Sequence, residues 1–288
     1  MVTGVLNMEF WGKIITFFDS QMQEPTNYGW FHIMFIAIAL CATVLLCVFL
    51  RDAKDRTFRI IIFSCWALMV LLEIYKQLNY GFTYNEELNT ITWDYQWYAF
   101  PFQFCSTPLY VLPFIAFLPK GHVRDAMMAF MAFFSLFGGL GVFAYPNDVF
   151  IGTIGINIQT MIHHGLQVVL GIYIAVYTRK KFGIMYYVKA AIVFVALMAI
   201  AVIMNISVYH MLTAAGINET FNMFYIGPYY PSTLPVLSGI YPSVHPVLFI
   251  FIYLFGFLAI GMLIFGITYG IISLVHLIKK AVGKSCKA

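Results

Sequence analysis

The chain has 288 residues, of which 62% are hydrophobic and only 10% charged. That balance excludes an ordinary soluble domain and excludes disorder. The net charge of +4 matters less than where the charges fall. Runs of about 20 apolar residues that do not alternate exclude a β-barrel and imply an all-α, polytopic membrane helix bundle.

In chain order, residues 5–19 place Val5, Leu6, Phe10, Ile14 and Phe17 in a segment too short and too mixed to span a bilayer. An interfacial amphipathic helix is expected there, forming a unit over 1–29 with the linker that contains Pro25. No cleavable signal peptide is expected, because no basic start or small-residue cleavage site is present. Hydropathy then predicts seven spans within a domain over 30–278, at 30–50, 58–79, 98–118, 125–145, 154–178, 184–210 and 244–270. The last apolar run continues to Ile278, roughly 50 Å at helical rise, so it tilts or runs past the membrane. A basic tail over 279–288 follows.

Lys and Arg mark the two sides. Arg51, Lys54, Arg56 and Arg59 follow the first span, Lys120 and Arg124 the third, and Arg179, Lys180 and Lys181 the fifth. The loops at 80–97, 146–153 and 211–243 contain neither residue. The positive-inside rule therefore puts the N-terminus outside and the tail in the cytoplasm. The outer loop at 211–243 is rich in Tyr and Pro and almost uncharged, which suits packing on the membrane or over a cavity.

Polar residues inside the spans collect toward the outer half. Glu73, Lys76 and Gln77 fall in the second span, Gln103 and Cys105 in the third, Asn205 in the sixth. On the fifth, Asn157, Thr160, His163, His164 and Gln167 recur at helical spacing. Such a stripe is expensive in hydrocarbon and should line the bundle interior. Each residue has a plainer reading. Glu73 and Lys76, one turn apart, neutralise each other. A membrane cysteine is usually a small hydrophobe, and a membrane histidine a helix–helix hydrogen-bond partner. Cys105 differs from the other four cysteines in its setting, FPFQFCSTP, between two prolines and beside Gln103, Ser106 and Thr107.

The chemistry that uses these types is nucleophilic acyl transfer. An imidazole takes the proton of a thiol and returns it to the leaving alcohol. Gln159, Gln167 or Asn205 would orient the imidazole or donate to an oxyanion. No phosphate-binding loop, dinucleotide fingerprint or carboxylate–histidine cluster at ligand spacing is present, so no cofactor and no metal are expected. Nucleic-acid binding is not expected either.

Five features in order, PFQFCSTPLYVLP, FGGLGVFAYP, the paired histidines, NMFYIGP and IYP, make the chain similar to the YwaF-type family of bacterial integral membrane proteins over most of 95–260. That family resembles, more distantly, a eukaryotic cysteine-dependent membrane acyltransferase that remodels ether phospholipids, and membrane hydrolases of fatty-acid esters that use a Thr and a His. The resemblance implies Cys105 as nucleophile and one of His163 and His164 as base. Asn222 and Tyr225 of NMFYIGP are expected among the supporting or substrate-binding residues, with Gln103, Glu73, Lys76, Gln77, Thr160, Gln167 and Asn205. Bacterial members often carry a histidine just before the cysteine, where this chain has Gln103-Phe104.

The expectation is a lipid acyltransferase or acyl hydrolase of the cell membrane, bacterial by the resemblance, with a membrane phospholipid or other acyl lipid as partner. Because acyl-CoA is cytoplasmic, an outward site implies CoA-independent transacylation or hydrolysis. The alternative is a small-solute binding or transport protein with a proton-coupled site at Glu73, Lys76 and the histidines. A third class is a structural membrane subunit whose buried polar groups serve only as glue.

Overall fold

The structure, a computed structural model, describes residues 2–146 and 149–285. Ten α-helices and one hairpin make up its regular elements. They are α1 (Val2–Phe18), α2 (Trp30–Phe49), α3 (Asp55–Asn79), β1 (Phe82–Asn85), β2 (Thr90–Trp93), α4 (Pro108–Phe117), α5 (His122–Phe130), α6 (Leu136–Ala144), α7 (Ile154–Tyr177), α8 (Ile184–Ala214), α9 (Leu237–Ile240) and α10 (Pro246–Ser285). A π-helical turn at Met131–Ser135 joins α5 to α6. Among the described residues six segments are long and apolar enough to cross a membrane: α2, α3, the α5–α6 rod, α7, α8 and the first 30 residues of α10.

The segment read as a third span, 98–118, is not one helix. It begins with a short 3-10 turn at Trp97–Ala99, runs extended, makes a second 3-10 turn at Phe104–Ser106 and becomes helical only from Pro108. Three prolines explain this. Pro101 restricts the residue before it, Pro108 suits the first position of a helix, and Pro113 removes a donor from the interior. The missing Pro113 N–H leaves the Leu109 carbonyl without its helical partner, and Trp66 Nε1 donates to it at 2.9 Å. Non-helical backbone at membrane depth is tolerated where protein surrounds it.

The other helices run close to their predicted places. The loop at 80–97 folds into the antiparallel β1–β2 hairpin. The helix of the last span extends unbroken to Ser285, about 60 Å at helical rise, which carries it beyond a bilayer. The basic tail continues it, and its last three residues lie outside the described residues.

The centre of the bundle is α7, which packs on α2, α3 and α6. Two glycines permit this closeness. A Cβ on Gly139 would lie 2.7 Å from the His164 carbonyl oxygen, and one on Gly171 2.7 Å from Leu136 Cβ. Below the site the core is aromatic: Phe194 stacks on Phe134 at 4.7 Å and on Phe257 at 5.6 Å, and Phe104 meets Phe257 edge-on.

The ends differ chemically. One carries the charged turns at 50–54, 118–121 and 178–183, the first and last joined by the Arg179–Asp52 ion pair. There Arg59 donates to the carbonyls of Ala116, Phe117 and Leu118, closing the C-terminus of α4. The other carries the hairpin and the 215–245 loop, and the candidate site lies toward it.

Candidate functional site

Cys105 sits in the 3-10 turn just before α4, partly exposed. Its carbonyl is the focus of the site. His163 Nε2 lies 2.9 Å from the Cys105 oxygen and Gln167 Nε2 lies 2.8 Å from it. The two donors are one turn apart on α7, so a single helix face holds the turn in place. A carbonyl only accepts, so His163 carries its proton on Nε2 and keeps a lone pair on Nδ1. That Nδ1 is buried and has no partner, and neither has Gln167 Oε1.

His164 is turned differently. Its Nδ1 donates to the Thr160 carbonyl at 2.8 Å, which leaves Nε2 as the nitrogen with a lone pair. The two rings are 5.7 Å apart and inclined at 67°. No hydrogen bond joins either ring to the Cys105 thiol among the described residues; His163 is anchored to the carbonyl of the same residue instead. Covalent geometry keeps a cysteine sulfur within about 5 Å of its own carbonyl oxygen, so the thiol remains within about 8 Å of His163 Nε2.

Beside this group lies a closed polar network. Glu73 Oε1 accepts from Lys76 Nζ at 2.9 Å and from Gln77 Nε2 at 2.7 Å, and Oε2 accepts from Gln159 Nε2 at 3.5 Å. Thr160 Oγ1 reaches Gln159 Oε1 at 3.4 Å, so the chain of contacts ends on the residue that orients His164. In the other direction Gln77 donates to the Ala99 carbonyl and accepts from Tyr95, below the hairpin. Lys76 and Glu73 are within electrostatic range of the Cys105 thiol. Each is paired to the other, so the network brings no uncompensated charge.

Three of the sequence candidates hold a loop with their side chains. Gln103 Nε2 donates to the Asn222 carbonyl at 3.0 Å, and its Oε1 accepts from Phe224 N at 2.9 Å. Asn205 grips the same strip, donating to the Met223 carbonyl at 2.9 Å and accepting from Met223 N at 2.6 Å. Asn222 Oδ1 accepts from Gly227 N at 2.7 Å. Phe224 and Tyr225 both take left-handed backbone angles, φ 58° and 56°, which cost about 1–3 kcal/mol each. The paired amide clamps offset that strain and press Phe224, fully buried, between Phe102 and Phe104. NMFYIGP is thus an inserted plug over the Cys105 turn. Asn157, at the top of the stripe, donates to and accepts from the Ile151 backbone.

Two groups near the site carry no signal in the sequence. Tyr253 on α10 is fully buried, its hydroxyl has no partner, and it lies within electrostatic range of Cys105. Tyr95 sits in a loop with nothing to distinguish it from its aromatic neighbours. The π turn at 131–135 packs against α7, and such bulges recur at functional sites; apolar sequence gives no sign of it. Among the described residues no group of three His, Cys, Asp or Glu side chains is placed to hold a metal ion.

A sequence profile of the TMEM164 family matches residues 27–271. That covers His163, His164, Cys105, the clamped plug, five of the six long helices and most of the sixth apolar segment, and the chain belongs to this family. The match and the six apolar helices make it a multi-pass membrane protein. Neither the curated proteins nor the solved structures contain a match.

Proposed function

We propose that this member of the TMEM164 family is a membrane-embedded lipid acyltransferase or acyl hydrolase that works through an acyl-cysteine at Cys105. The observation that carries the reading is the convergence of His163 and Gln167 on the Cys105 carbonyl, in a non-helical turn beside a second histidine with a free Nε2. The anchoring satisfies a main-chain carbonyl and fixes the turn, and the neighbouring His164, with a lone pair on Nε2, supplies a base beside the thiol that the turn carries.

The steps follow from the nitrogen assignments. His164, held by Thr160 through Nδ1, takes the thiol proton on Nε2 as the sulfur attacks an ester carbonyl. The C–S bond forms, the tetrahedral intermediate collapses, and the C–O bond to the leaving alcohol breaks. Nε2 returns its proton to that alcohol. A second alcohol, or water, gives its proton to the same nitrogen and attacks the acyl-thioester; the new C–O bond forms, the C–S bond breaks, and Nε2 returns the proton to the Cys105 sulfur. His163 is a positioning residue that fixes the turn. The positive-inside rule supports a third segment that crosses as irregular chain plus half-helix, for seven crossings, with the site facing the outer side of a cell membrane. An acyl donor there is a phospholipid already in the bilayer.

The test is acyl transfer between a labelled phospholipid and a lysolipid in vesicles without CoA. Wild type is expected to transfer or hydrolyse; Cys105→Ala and His164→Gln are expected to lose it. His163→Gln keeps an amide donor for the Cys105 carbonyl and retains partial activity with an unchanged pH profile. If His164→Gln is fully active the base assignment is wrong. Activity that survives Cys105→Ala but vanishes in Glu73→Gln would favour proton-coupled transport instead.

A further inference from the structure

At the opposite end of the bundle lies a cavity of about 410 Å³, between the start of α5 and the end of α7. Its wall includes Lys120, Arg124, Asp125, Thr178, Lys180 and Lys181. The carboxylates there are already committed. Asp55, which also lines the cavity, accepts from Arg59 at 2.8 Å and from Arg124 at 2.7 Å. Asp125 is shared by Lys181 at 2.6 Å and Lys189 at 3.7 Å. Lys120 and Lys180 make no ion pair among the described residues. Arg124 is 2% exposed, spends Nε on the Ile115 carbonyl and Nη1 on Asp55, and has no partner for Nη2.

A buried guanidinium with a spare donor and two unpaired ammonium groups around one cavity form an excess of positive charge that the protein does not itself neutralise. Buried donors are normally satisfied, so the missing acceptor points to a ligand. Planar guanidinium and ammonium donors together suit phosphate oxygens. The volume is that of a small-molecule site rather than of one inorganic ion, and basic pockets between membrane helices take anionic headgroups. We infer that this cavity binds the phosphate of an anionic lipid headgroup, or a free phosphate of the same chemistry, at the membrane face opposite Cys105. It does not depend on the acyl-transfer reading.

The test uses the full-length protein in phosphatidylcholine nanodiscs, with phosphatidic acid added to the bilayer in one arm and inorganic phosphate to the buffer in the other. Binding is followed by native mass spectrometry and by the rise in unfolding temperature, expected at roughly 5 °C near saturation. Lys120 and Lys180 are exposed, so Lys120→Gln/Lys180→Gln should fold, and it is expected to weaken binding by roughly tenfold or more. Lys54→Gln/Arg56→Gln removes the same charge from exposed positions outside this cavity and should leave binding within about twofold. A response to phosphatidic acid alone identifies the headgroup; a response to both identifies a general phosphate site. No response in either arm, or equal weakening by both double variants, overturns the inference.

Discussion

The two ends of the bundle satisfy their polar groups by opposite means. At the charged end Asp52, Asp55 and Asp125 each meet arginine or lysine partners, and several of these side chains reach solvent. Around the Cys105 turn the polar groups are neutral amides and imidazoles bonded to backbone carbonyls, beside one mostly buried ion pair, Glu73–Lys76. The difference follows from depth. Neutral hydrogen-bonded groups can be carried into apolar surroundings at modest cost, whereas charges must be paired or wet. A partly exposed thiol beside two buried imidazoles supplies the reagents for attack on an ester. Exposed ammonium groups are suited to holding an anion.

This contrast can be broken by substitution, and the largest effect should come from the thiol. Cys105→Ala is expected to lower CoA-independent acyl transfer by at least about a thousandfold while leaving unfolding nearly unchanged. A variant that loses activity and folding together would return Cys105 to a packing role.

Next is the buried pair. Glu73→Ala leaves Lys76, whose side chain is 16% exposed, without its carboxylate, and should destabilise by about 2–4 kcal/mol, below the cost of breaking a fully buried pair. Glu73→Gln/Lys76→Met should recover most of that in denaturant unfolding of the micelle-bound chain. By contrast, Lys181→Ala at the charged end removes a half-exposed partner of Asp125, and about 1 kcal/mol or less is expected. Equal losses at the two ends would erase the distinction drawn between them.

The clamp is smaller again. Gln103→Ala frees the Asn222 carbonyl and the Phe224 N–H, and about 1–3 kcal/mol should be lost. Hydrogen exchange at 222–227 should quicken while that of α7 does not.

The smallest effect is at Asp52, in the turn after α2. The hydrogen bond from Arg179 holds its carboxyl below the ordinary value. Its stabilisation is therefore complete above the usual carboxylate pKa of about 3.9 and fades as pH falls through the lowered one. Asp52→Asn should remove that small contribution at neutral pH, leave strongly acid pH unchanged, and so flatten the acid limb of the stability profile.

The hydropathy pattern made the helical class and the long spans legible, because a bilayer demands uninterrupted apolar helix. It hid the break at 98–107, since counting apolar residues gives no weight to what Pro101, Pro108 and Pro113 do to the backbone. The paired histidines were conspicuous as costly polar groups, yet their contacts were not. His163 and His164 both bond to main-chain oxygens, and no side-chain identity encodes a backbone acceptor. Gln103, Asn205 and Asn222 illustrate the same limit: their sequence settings suggest roles at the site, and in the fold their side chains bond to the plug backbone. Tyr253 joins the site only because α10 packs beside it, a contact that sequence spacing does not record.

The central claim is that Cys105 carries an acyl group during turnover. Intact-mass and peptide mass spectrometry of the full-length protein, after incubation with a diacyl phospholipid and no acceptor, tests it directly. The account predicts one added acyl mass on the peptide containing Cys105, removed by hydroxylamine and absent from Cys105→Ala. Turnover of the lipid with no adduct at Cys105, or the same adduct on another cysteine in Cys105→Ala, would contradict it.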